Sequence, residues 1–426
     1  MSAIPGRKSN AIKQPTSPGL VDYLIIGGGL AGARCAATLR NEGAEGRILI
    51  VSAEEYPPYH RPPLSKGLLL GTQSRDKVFI LSDEYYRDKG IELKLKAEVN
   101  RLDASSKAAF VGGNEYRYGQ VLICTGAIAR RLDIEGGDLD NIFYLRTLSD
   151  SDRIREAMRA AERAAIIGGG FIGMELASAF AQNGIETTMI IREDRLWDKL
   201  GSVEISAFFR RLYEDNGVRL VFEDQAAKVE GEGGAVKRLV TAKGKVIPCD
   251  ILCIGIGVFS ATGFLDGAQV RIENGVVVDE HLKAEASGLF AAGDVANFYD
   301  PVLETRWRIE HWDNAVKQGE LVAKNMLGHD IAYDTVSYFF SEVFKTYYEF
   351  LGDNRQADEI VLRGSFKSGS VAVLYLKGGR LRAAFLLGHH RSERPSIEAL
   401  VRSKMDLGPF RAKLSDESFN LSELLG

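Results

Sequence analysis

Two glycine-rich stretches are the residues of this sequence that most clearly point to chemistry. Each stretch follows an apolar run, precedes a helical pattern and fits GxGxxG. The glycines are Gly27, Gly29 and Gly32 in the first and Gly168, Gly170 and Gly173 in the second. In this spacing the first glycine permits a tight strand-to-helix turn, the second admits a pyrophosphate and the third lets helix and strand pack closely. Because a helix N-terminus offers free N–H groups to phosphate, the sequence predicts two dinucleotide sites.

An acidic residue follows each glycine motif where a carboxylate could hold a ribose. Glu54 comes after an apolar run at residues 48–52, and Glu193 comes after a similar run at 187–191. The recurrence of the whole pattern indicates an internal repeat and hence two dinucleotide-binding domains. Two dinucleotides on one chain imply hydride or electron transfer between two cofactors. Two glycine-rich turns in an ordinary α/β protein are the alternative.

The length and charge of the chain limit the classes of function. A chain of 426 residues has room for two or three domains. Its 54 basic and 58 acidic residues give a net charge of −4, which offers no general case for nucleic acid or a membrane as partner. No apolar run approaches the roughly 18 residues that span a bilayer. We predict a cytoplasmic protein with a disordered tail over residues 1–20, for which a transit peptide is the alternative.

The segment YPPYHRPPLSK, residues 56–66, is expected to form a wall of the first site. Four of the 11 prolines of the chain lie in it, which excludes a regular helix or a central strand. We predict a stiff loop that ends at a helix start near residues 64–70. Such a loop would hold Arg61 and Lys66 at fixed positions, whereas a surface loop with two solvated cations is the alternative.

Polar residues next to later apolar runs are further candidates. Arg130 follows the run at 118–126, and Asp294 lies at the end of an apolar run that begins at residue 288. A carboxylate directly after a buried strand is costly unless a ligand hydroxyl or backbone amides bond to it. His311 and Trp312 occupy the first turn of an amphipathic helix predicted over 310–326. A solvated Arg130 and a structural His311 are the alternatives.

The four cysteines predict neither a disulfide framework nor a metal site. Cys249 and Cys253 have CxxxC spacing, but residues i and i+4 of a strand lie about 13 Å apart. We expect buried structural thiols, and no metal ion is predicted anywhere in the chain.

From residue 338 onward the sequence changes character. Two apolar runs at 371–376 and 381–387 are separated by KGGR, which is typical of a β-hairpin, and a helix is predicted over 396–402. This part should be a separate docking or interface module. The expected fold class is α/β, with two Rossmann-like dinucleotide-binding domains and a C-terminal α+β domain.

Five motifs together carry a family resemblance that spans the chain from about residue 21. DYLIIGGGLAG, PYHRPPLSKG, IIGGGFIGMELA, GLFAAGDVAN and RIEHWDNAVKQG resemble those of flavoproteins with two dinucleotide-binding domains and a glutathione-reductase-like fold. The subgroup is that of oxygenase-coupled ferredoxin reductases, with apoptosis-inducing factor and monodehydroascorbate reductase as relatives. The resemblance implies an FAD-binding domain at 21–146 and 271–335, an NAD(P)H-binding domain at 147–270 and an interface domain at 336–426. The disulfide-reductase relatives carry a CxxxxC pair in the region after the first glycine motif. Because this chain has no cysteine between Cys35 and Cys124, the resemblance implies a redox centre of flavin alone, without a thiol relay.

The resemblance also implies roles for individual residues. At the adenosine end of FAD it assigns Gly27, Gly29 and Gly32 to the pyrophosphate, Glu54 to the ribose and Val99 to the adenine. At the flavin end it assigns Asp294 to the ribityl chain and His311 with Trp312 to the isoalloxazine. Arg61, Lys66 and Arg130 are assigned as further FAD contacts. Those assigned to the nicotinamide nucleotide are Gly168, Gly170, Gly173, Glu193, Lys199 and Gly257. Lys66 is similar to a family lysine near flavin N5 that pairs with a glutamate, here Glu175. Such a pair would orient the nicotinamide and stabilise charge during hydride transfer.

Two residues at the end of the second nucleotide-domain strand bear on which coenzyme donates the electrons. Glu193 favours NADH through its ribose hydroxyls, whereas the adjacent Arg192 could accept the 2′-phosphate of NADPH, and we predict NADH.

The predicted acceptor is a ferredoxin-type iron–sulfur protein, held by basic residues taken from Arg306, Arg308, Arg391, Arg394, Arg402 and Lys404. A reductase of a quinone or of an ascorbate radical, and an apoptosis-inducing-factor-like redox switch, are the alternatives. The sequence leaves a homodimer open. The tryptophan that relatives often carry in a C-terminal FWS motif is Phe340 here.

Overall fold

The computed structural model describes residues 19–426. Residues 1–18 of the predicted tail lie outside this range, and Leu20 does not belong to a tail because it opens the first strand. The strands are β1 Leu20–Ile26, β2 Ile48–Val51, β3 Ile91–Lys94, β4 Val99–Asp103, β5 Ala108–Val111, β6 Asn114–Ile123, β7 Ala127–Ala129, β8 Ile142–Phe143, β9 Arg163–Ile167, β10 Glu186–Ile190, β11 Arg219–Val221, β12 Ala226–Glu232, β13 Ala235–Thr241, β14 Val246–Pro248, β15 Ile251–Ile254, β16 Val258–Ser260, β17 Val276–Val278, β18 Leu289–Ala291, β19 Ala296–Asp300, β20 Thr305–Arg308, β21 Tyr338–Val343, β22 Thr346–Gly352, β23 Glu359–Ser365, β24 Ser370–Lys377 and β25 Arg380–Leu387.

The helices connect these strands in the order expected of a doubly wound α/β chain. They are α1 Leu30–Asn41, α2 Asp83–Asp88, α3 Leu148–Met158, α4 Phe171–Gln182, α5 Val203–Asp215, α6 Trp312–Met326, α7 Arg394–Ser403 and α8 Arg411–Ser415. Short 3₁₀ helices lie between them, of which Pro62–Ser65, Gly293–Val295 and Gly388–Glu393 bear on function.

Two sheets, each with parallel central strands, carry the two glycine motifs. The first has the strand order β3-β2-β1-β6, with β18 also pairing with β6 in parallel and β5 and β4 added antiparallel. The second has the order β11-β10-β9-β15-β8, and all its pairs are parallel. In each sheet the strand before the glycines, β1 or β9, is central and fully flanked. The carboxyl ends of such strands are where open α/β sheets bind ligands.

The C-terminal part is a five-stranded antiparallel sheet with the order β21-β22-β25-β24-β23. Its predicted hairpin is confirmed as β24 and β25, and its predicted helix as α7. The sheet begins at Tyr338, where the sequence predicts a change of character. One face of the sheet packs on α7 and the C-terminal segment, whereas Tyr348, Phe350 and Phe385 belong to the core shared with α4 and α5.

Two local predictions are wrong. The helix predicted near 64–70 is the 3₁₀ helix Pro62–Ser65 followed by turns, because the prolines supply a first turn but the chain reverses at Gly71, whose φ is +74°. The apolar pattern of residues 91–99 predicts one sheet strand, but the structure has two strands there, β3 and β4, separated by Lys96 in the left-handed region at φ +51°.

Helices α1 and α6 pack closely enough to bring their N-terminal turns together. A side chain at Gly319 of α6 would clash with the backbone carbonyl of Ala31 in the first turn of α1. A side chain at Gly293, after β18, would lie 3.5 Å from Ala31 Cβ and 3.7 Å from Ala315 Cβ. The N-termini of both helices and the end of β18 therefore converge beside the first glycine motif.

Candidate active site

A continuous cleft of about 1670 Å³ joins the two glycine motifs. It is lined by every site residue predicted from the sequence except Gly32 and Gly173, which pack behind it. Pockets for a single small ligand usually measure about 300–1,000 Å³. The cleft is therefore large enough for two extended ligands that approach each other.

The first glycine motif has the shape that a pyrophosphate requires. Gly27 has φ +126°, and a side chain there would clash with the Cys124 carbonyl. A Cβ at Gly32 would lie 2.5 Å from the Gly27 carbonyl oxygen, so only glycine lets α1 approach β1. Gly29 is the N-cap of α1 and would project a Cβ into open space, and the first helical turn carries no acid. The open approach to the helix N-terminus fits an anionic group.

The second motif repeats this geometry. Gly168 has φ +112°, and a side chain there would clash with the Gly255 carbonyl. A side chain at Gly173 would clash with the Gly168 carbonyl in turn. Gly170 is the N-cap of α4, again with open space in the Cβ direction and no acid in the first turn. The residues present fit a second dinucleotide.

The two acidic residues that follow the motifs lie in different surroundings. Glu54 is partly buried, forms a 2.7 Å ion pair with Arg61 Nη2 and accepts a hydrogen bond from the Tyr59 hydroxyl. Glu193 is more exposed and pairs with the side chain of its neighbour Arg192 at 3.1 Å. Lys199, also exposed, lines the same half of the cleft as Glu193. The second acid is thus freer to exchange its partner for a ligand hydroxyl.

Lys66 and Glu175 form an ion pair between the proline-rich loop and α4. Glu175 is 7% exposed, and its carboxylate also accepts hydrogen bonds from Ser65 Oγ and from Ser341 Oγ, the latter at 2.5 Å. A buried charge is tolerated only when it is paired and its lone pairs are bonded, and this carboxylate meets both conditions. Both partners line the cleft, so a fixed charge pair lies between the two glycine motifs.

The N-terminus of α6 faces the cleft through His311 and Trp312. His311 is the N-cap, and its Nδ1 lies 3.1 Å from Ser337 Oγ. Burial lowers the pKa of His311 to about 4, which nearby Asp294 only partly offsets. The imidazole is therefore neutral at physiological pH. Trp312 Nε1 donates a hydrogen bond to His60 Nδ1 at 3.0 Å, which fixes the indole against the proline-rich loop.

Residues 21–319 match the family of pyridine nucleotide-disulphide oxidoreductases, and residues 338–425 match the reductase C-terminal domain. The first match alone covers more than half of the chain. The chain belongs to the pyridine nucleotide-disulphide oxidoreductase family. It is an oxidoreductase of the ferredoxin reductase type, whose family cofactors are FAD and NAD(P)H, and the predicted recognition and fold class are confirmed.

Sequence and structure comparisons show which members of the family this oxidoreductase resembles. It is 35% identical to the ferredoxin reductase subunit of 5,5'-dehydrodivanillate O-demethylase from a Sphingobium species, over 85% of this chain and 89% of that protein. It is 31% identical to monodehydroascorbate reductase 5 of rice, over 90% of this chain and 83% of that protein. It superposes on the covalent putidaredoxin reductase–putidaredoxin complex with a TM-score of 0.90 and 27% identity, covering 95% of this chain and 98% of that one.

Among the residues that the structure describes, one cysteine lines the cleft, and it has no second cysteine beside it there. All four cysteines are free and buried. Cys124 lines the cleft, but burial raises its pKa well above the ordinary value, and burial raises the pKa of Cys249 to about 12. Thiols with so little thiolate are poor nucleophiles. The prediction that Cys249 and Cys253 are buried thiols without a mutual bond is confirmed.

Arg146 is a residue of the cleft that the sequence analysis missed. Its Nη2 lies 2.9 Å from Asp294 Oδ2, and its carbonyl accepts a hydrogen bond from Arg61 Nη1. The expected bond between Asp294 and a ligand hydroxyl stays a prediction, and within the protein this carboxylate is paired with the Arg146 guanidinium. A carboxylate at a buried strand end requires a counter-charge or hydrogen-bond donors, which is the signal in the sequence that points to a cation such as Arg146.

The remaining predicted residues, Arg130, Gly257 and Val99, also line the cleft. Arg130 follows β7 and donates from Nε to the Val258 carbonyl at 3.2 Å, while its backbone N–H bonds to Gly257 at 3.0 Å. Gly257 has φ +94°. Val99 opens β4 and is buried at the edge of the first site.

The six candidate docking cations fall into two groups. Four are bound within the fold: Arg306 bonds to main-chain carbonyls, and Arg308, Arg402 and Lys404 form ion pairs with Glu310, Glu398 and Glu304. Arg391 and Arg394 lie over the rings of Tyr347 and Tyr338, each at 4.5 Å, and Arg391 also donates a hydrogen bond to the Gly388 carbonyl. Only this second group combines cations with an aromatic surface.

The part of the chain that the structure describes includes no helix long and apolar enough to cross a membrane.

Proposed function

We propose that this oxidoreductase transfers a hydride from NADH to FAD and passes the electrons to a ferredoxin-type iron–sulfur protein. The observation that carries the proposal is that one cleft is lined by glycines of both motifs and by the Lys66–Glu175 pair. FAD would lie in the domain formed by 21–146 and 271–335, the nicotinamide nucleotide in 147–270, and the domain at 336–426 would meet the acceptor. A cytoplasmic location belongs to the same proposal.

FAD, when bound, supplies a centre that takes two electrons and releases them singly. The chain supplies position and charge around it. Gly29 and the N-terminus of α1 would hold one pyrophosphate, and Gly170 with α4 would hold the other. Because each cradle opens into the cleft, the two ligands would meet near Lys66.

The proposed role of Lys66 is to place a positive charge beside the reacting atoms. Its partner Glu175 is fixed by Ser65 and Ser341, so the ammonium group has little freedom to move. A fixed ionic partner needs no reorganisation when charge moves during hydride transfer. The carboxylate of Glu175 would in addition orient the carboxamide of the nicotinamide.

The N-terminus of α6 would stabilise negative charge at the far side of the first site. Helix N-termini carry the equivalent of about +0.5 charge. His311 is neutral at physiological pH, so this positive field comes from the backbone and not from an imidazolium. Trp312, held by His60, would pack beside the ring system.

Support for NADH as donor comes from the end of β10. Glu193 follows that strand in the position where an acid bonds to ribose hydroxyls. Arg192, which could otherwise receive a 2′-phosphate, already pairs with Glu193 at 3.1 Å. A carboxylate at this place repels a 2′-phosphate, so we propose a preference for NADH.

An aromatic and cationic surface next to Trp312 supports a protein acceptor. Phe340 packs on Trp312 with ring centroids 6.3 Å apart, and Tyr347 stacks on Phe340 at 5.8 Å. Arg391 covers Tyr347, so cations lie at the outer end of this row. An acidic iron–sulfur protein docked there would approach the first site through aromatic side chains. The surface is defined here as Tyr338, Phe340, Tyr347, Arg391 and Arg394, and is called the acceptor surface.

Stopped-flow absorbance of the FAD-loaded protein tests the proposal. Mixing with NADH should bleach the flavin faster than mixing with NADPH at equal concentration. Subsequent mixing with an acidic ferredoxin should restore the colour rapidly, and added salt should slow that step. Rapid recovery with a quinone or an ascorbate radical but not with ferredoxin would favour the small-acceptor reductase. Slow recovery with all acceptors would favour the redox switch, and a chain that retains no FAD would refute all three.

A further inference from the structure

Three metal-ligating side chains meet in the C-terminal domain, outside the cleft. His389 and His390 lie on the 3₁₀ helix Gly388–Glu393, directly after β25. Glu417 lies beyond α8, near the end of the chain. One ligand atom from each of the three lies within 4.8 Å of the others. None of the three lines the cleft, so the catalytic proposal does not account for them.

His390 is buried and has one ring nitrogen that makes no hydrogen bond. The residue is 1% exposed, and its Nδ1 bonds to Glu393 Oε2 at 2.7 Å. Its Nε2 is buried and makes no hydrogen bond. Glu393 is in turn held by the buried Arg363 at 2.6 Å. A histidine oriented by a carboxylate through one nitrogen, with the other nitrogen free, is the usual arrangement of a metal ligand.

The other two ligands lie at suitable distances from that nitrogen. Glu417 Oε2 is 3.5 Å from His390 Nε2 and 4.0 Å from His389 Nε2. Zinc bonds of about 2.0–2.1 Å in a tetrahedral site separate neighbouring ligand atoms by about 3.4 Å. His389 Nδ1 lies 2.5 Å from Ser370 Oγ, which orients the ring and leaves Nε2 as its available ligand atom.

Gly364 keeps the space between these atoms open. A Cβ at this position would lie 2.6 Å from His390 Nε2 and 3.2 Å from Glu417 Oε2. Gly364 also has φ +83°, which disfavours any residue with a side chain. The fold therefore places a residue without a side chain where a bulkier one would fill the centre of the cluster.

We propose that His389, His390 and Glu417 bind one zinc ion, with water as the fourth ligand. Two imidazoles and a carboxylate form a ligand set that suits zinc better than calcium or magnesium. The nearby guanidinium of Arg363 is neutralised by its ion pair with Glu393, so it opposes a cation only weakly. The assignment departs from the sequence analysis, which predicts no metal, because no motif joins residues 390 and 417.

The zinc ion would fasten the C-terminal segment to the sheet. Arg363 on β23 already bonds to the carbonyls of Asp416, Glu417 and Phe419. The metal would add a side-chain bond to the same segment through Glu417. Since binding to the folded state alone raises stability, zinc should raise the unfolding temperature of this domain.

The test uses the full FAD-loaded chain, purified without a histidine tag and treated with a chelator. Titration of zinc chloride, followed by calorimetry and thermal unfolding, is compared for the wild type, Glu417→Gln and His389→Gln. The matched control is His329→Gln, an exposed histidine far along the chain from the cluster. His390 is avoided because it is buried and could fail to fold when replaced.

We expect one zinc per chain in the wild type and the control, and at least tenfold weaker binding in both test variants. Zinc should raise the unfolding temperature of the wild type and the control only, and X-ray absorption should show nitrogen and oxygen ligands without sulfur. Equal affinity in all four proteins, no stoichiometric binding, or sulfur ligation would overturn the proposal. Flavin reduction by NADH should not depend on zinc, so the outcome is separable from the redox function.

Discussion

Ser341 Oγ donates a 2.5 Å hydrogen bond to Glu175 Oε1, although 166 residues separate the two along the chain. Ser341 lies on β21 of the C-terminal sheet, and Glu175 lies on α4 behind the second glycine motif. The same carboxylate accepts from Ser65 on the proline-rich loop and pairs with Lys66. A single carboxylate thus connects the three parts of the chain that would hold FAD, the nicotinamide nucleotide and the acceptor.

Ser341→Ala should slow flavin reduction without abolishing it. Hydrogen bonds to charged groups contribute about 1.5–3 kcal/mol, so Glu175 should become less well fixed. A barrier increase of about 1 kcal/mol corresponds to a roughly fivefold slower step in stopped-flow bleaching by NADH. Ser287→Ala, at an exposed serine, is the control. An unchanged rate in Ser341→Ala would show that the C-terminal sheet does not position this carboxylate for hydride transfer.

Lys66 and Glu175 should be energetically coupled in the reaction. Lys66→Met leaves the buried carboxylate without its counter-charge, and Glu175→Gln leaves the ammonium without its anchor. Groups in one network show coupling energies of about 0.5–3 kcal/mol, so the double variant should lose less activity than the two single losses multiplied. Rates of flavin reduction for the four proteins give this value. Strictly multiplicative losses would mean that the two residues act separately.

His311 should make the folded state sensitive to acid. Its pKa is lowered to about 4 by burial, whereas a solvated histidine titrates near 6.5. Between these values the unfolded chain binds the extra proton, so the free energy of unfolding should fall as pH falls from about 6.5 to about 4. The loss from this group is at most about 3.4 kcal/mol, since each pKa unit corresponds to about 1.36 kcal/mol. The free energy of unfolding, measured with urea at several pH values, should depend less on pH in His311→Gln than in the wild type. In His329→Gln it should depend on pH as in the wild type.

Much of the fold and half of the site could be predicted because their signals are local. The strand–glycine–helix units of Gly27 and Gly168 are fixed by neighbours in sequence, and the structure shows the backbone contacts that demand glycine there. Ser341 and Arg146 could not be predicted because their partners, Glu175 and Asp294, lie far away along the chain and reach them only through tertiary packing. The spacing of residues along the sequence does not indicate such a long-range contact.

The zinc cluster escaped prediction for the same reason. Adjacent histidines at 389 and 390 offer no ligand spacing, since their side chains would leave a strand on opposite faces. The 3₁₀ helix Gly388–Glu393 turns both toward one place, and the third ligand arrives from the C-terminal segment. The tertiary fold, and not a spacing along the chain, therefore brings these three side chains together.

Glu193→Gln should shift coenzyme preference away from NADH. The carboxylate is available to ribose hydroxyls because its present partner, Arg192, is a solvated side chain. Loss of one hydrogen bond to a charged group at this exposed site should lower kcat/KM for NADH about tenfold, and relieved repulsion should leave NADPH unchanged or improved. Glu186→Gln, at the opposite end of β10, is the matched control. Equal losses with both coenzymes would indicate a structural role for Glu193.

The acceptor surface should affect the rate of electron transfer to ferredoxin and leave the rate of flavin reduction by NADH unchanged. Arg391→Ala and Arg394→Ala each remove a cation that lies 4.5 Å from a tyrosine ring. Since rim charges act mainly on association rate, transfer to an acidic ferredoxin should slow about three- to tenfold at low salt, and the difference should shrink at high salt. Bleaching by NADH should keep its wild-type rate. The control is Arg101→Ala, an arginine that lies 4.0 Å over Phe110 on β5. If that variant slows the transfer equally, general charge and not this surface steers the partner; if no variant slows it, the partner docks elsewhere.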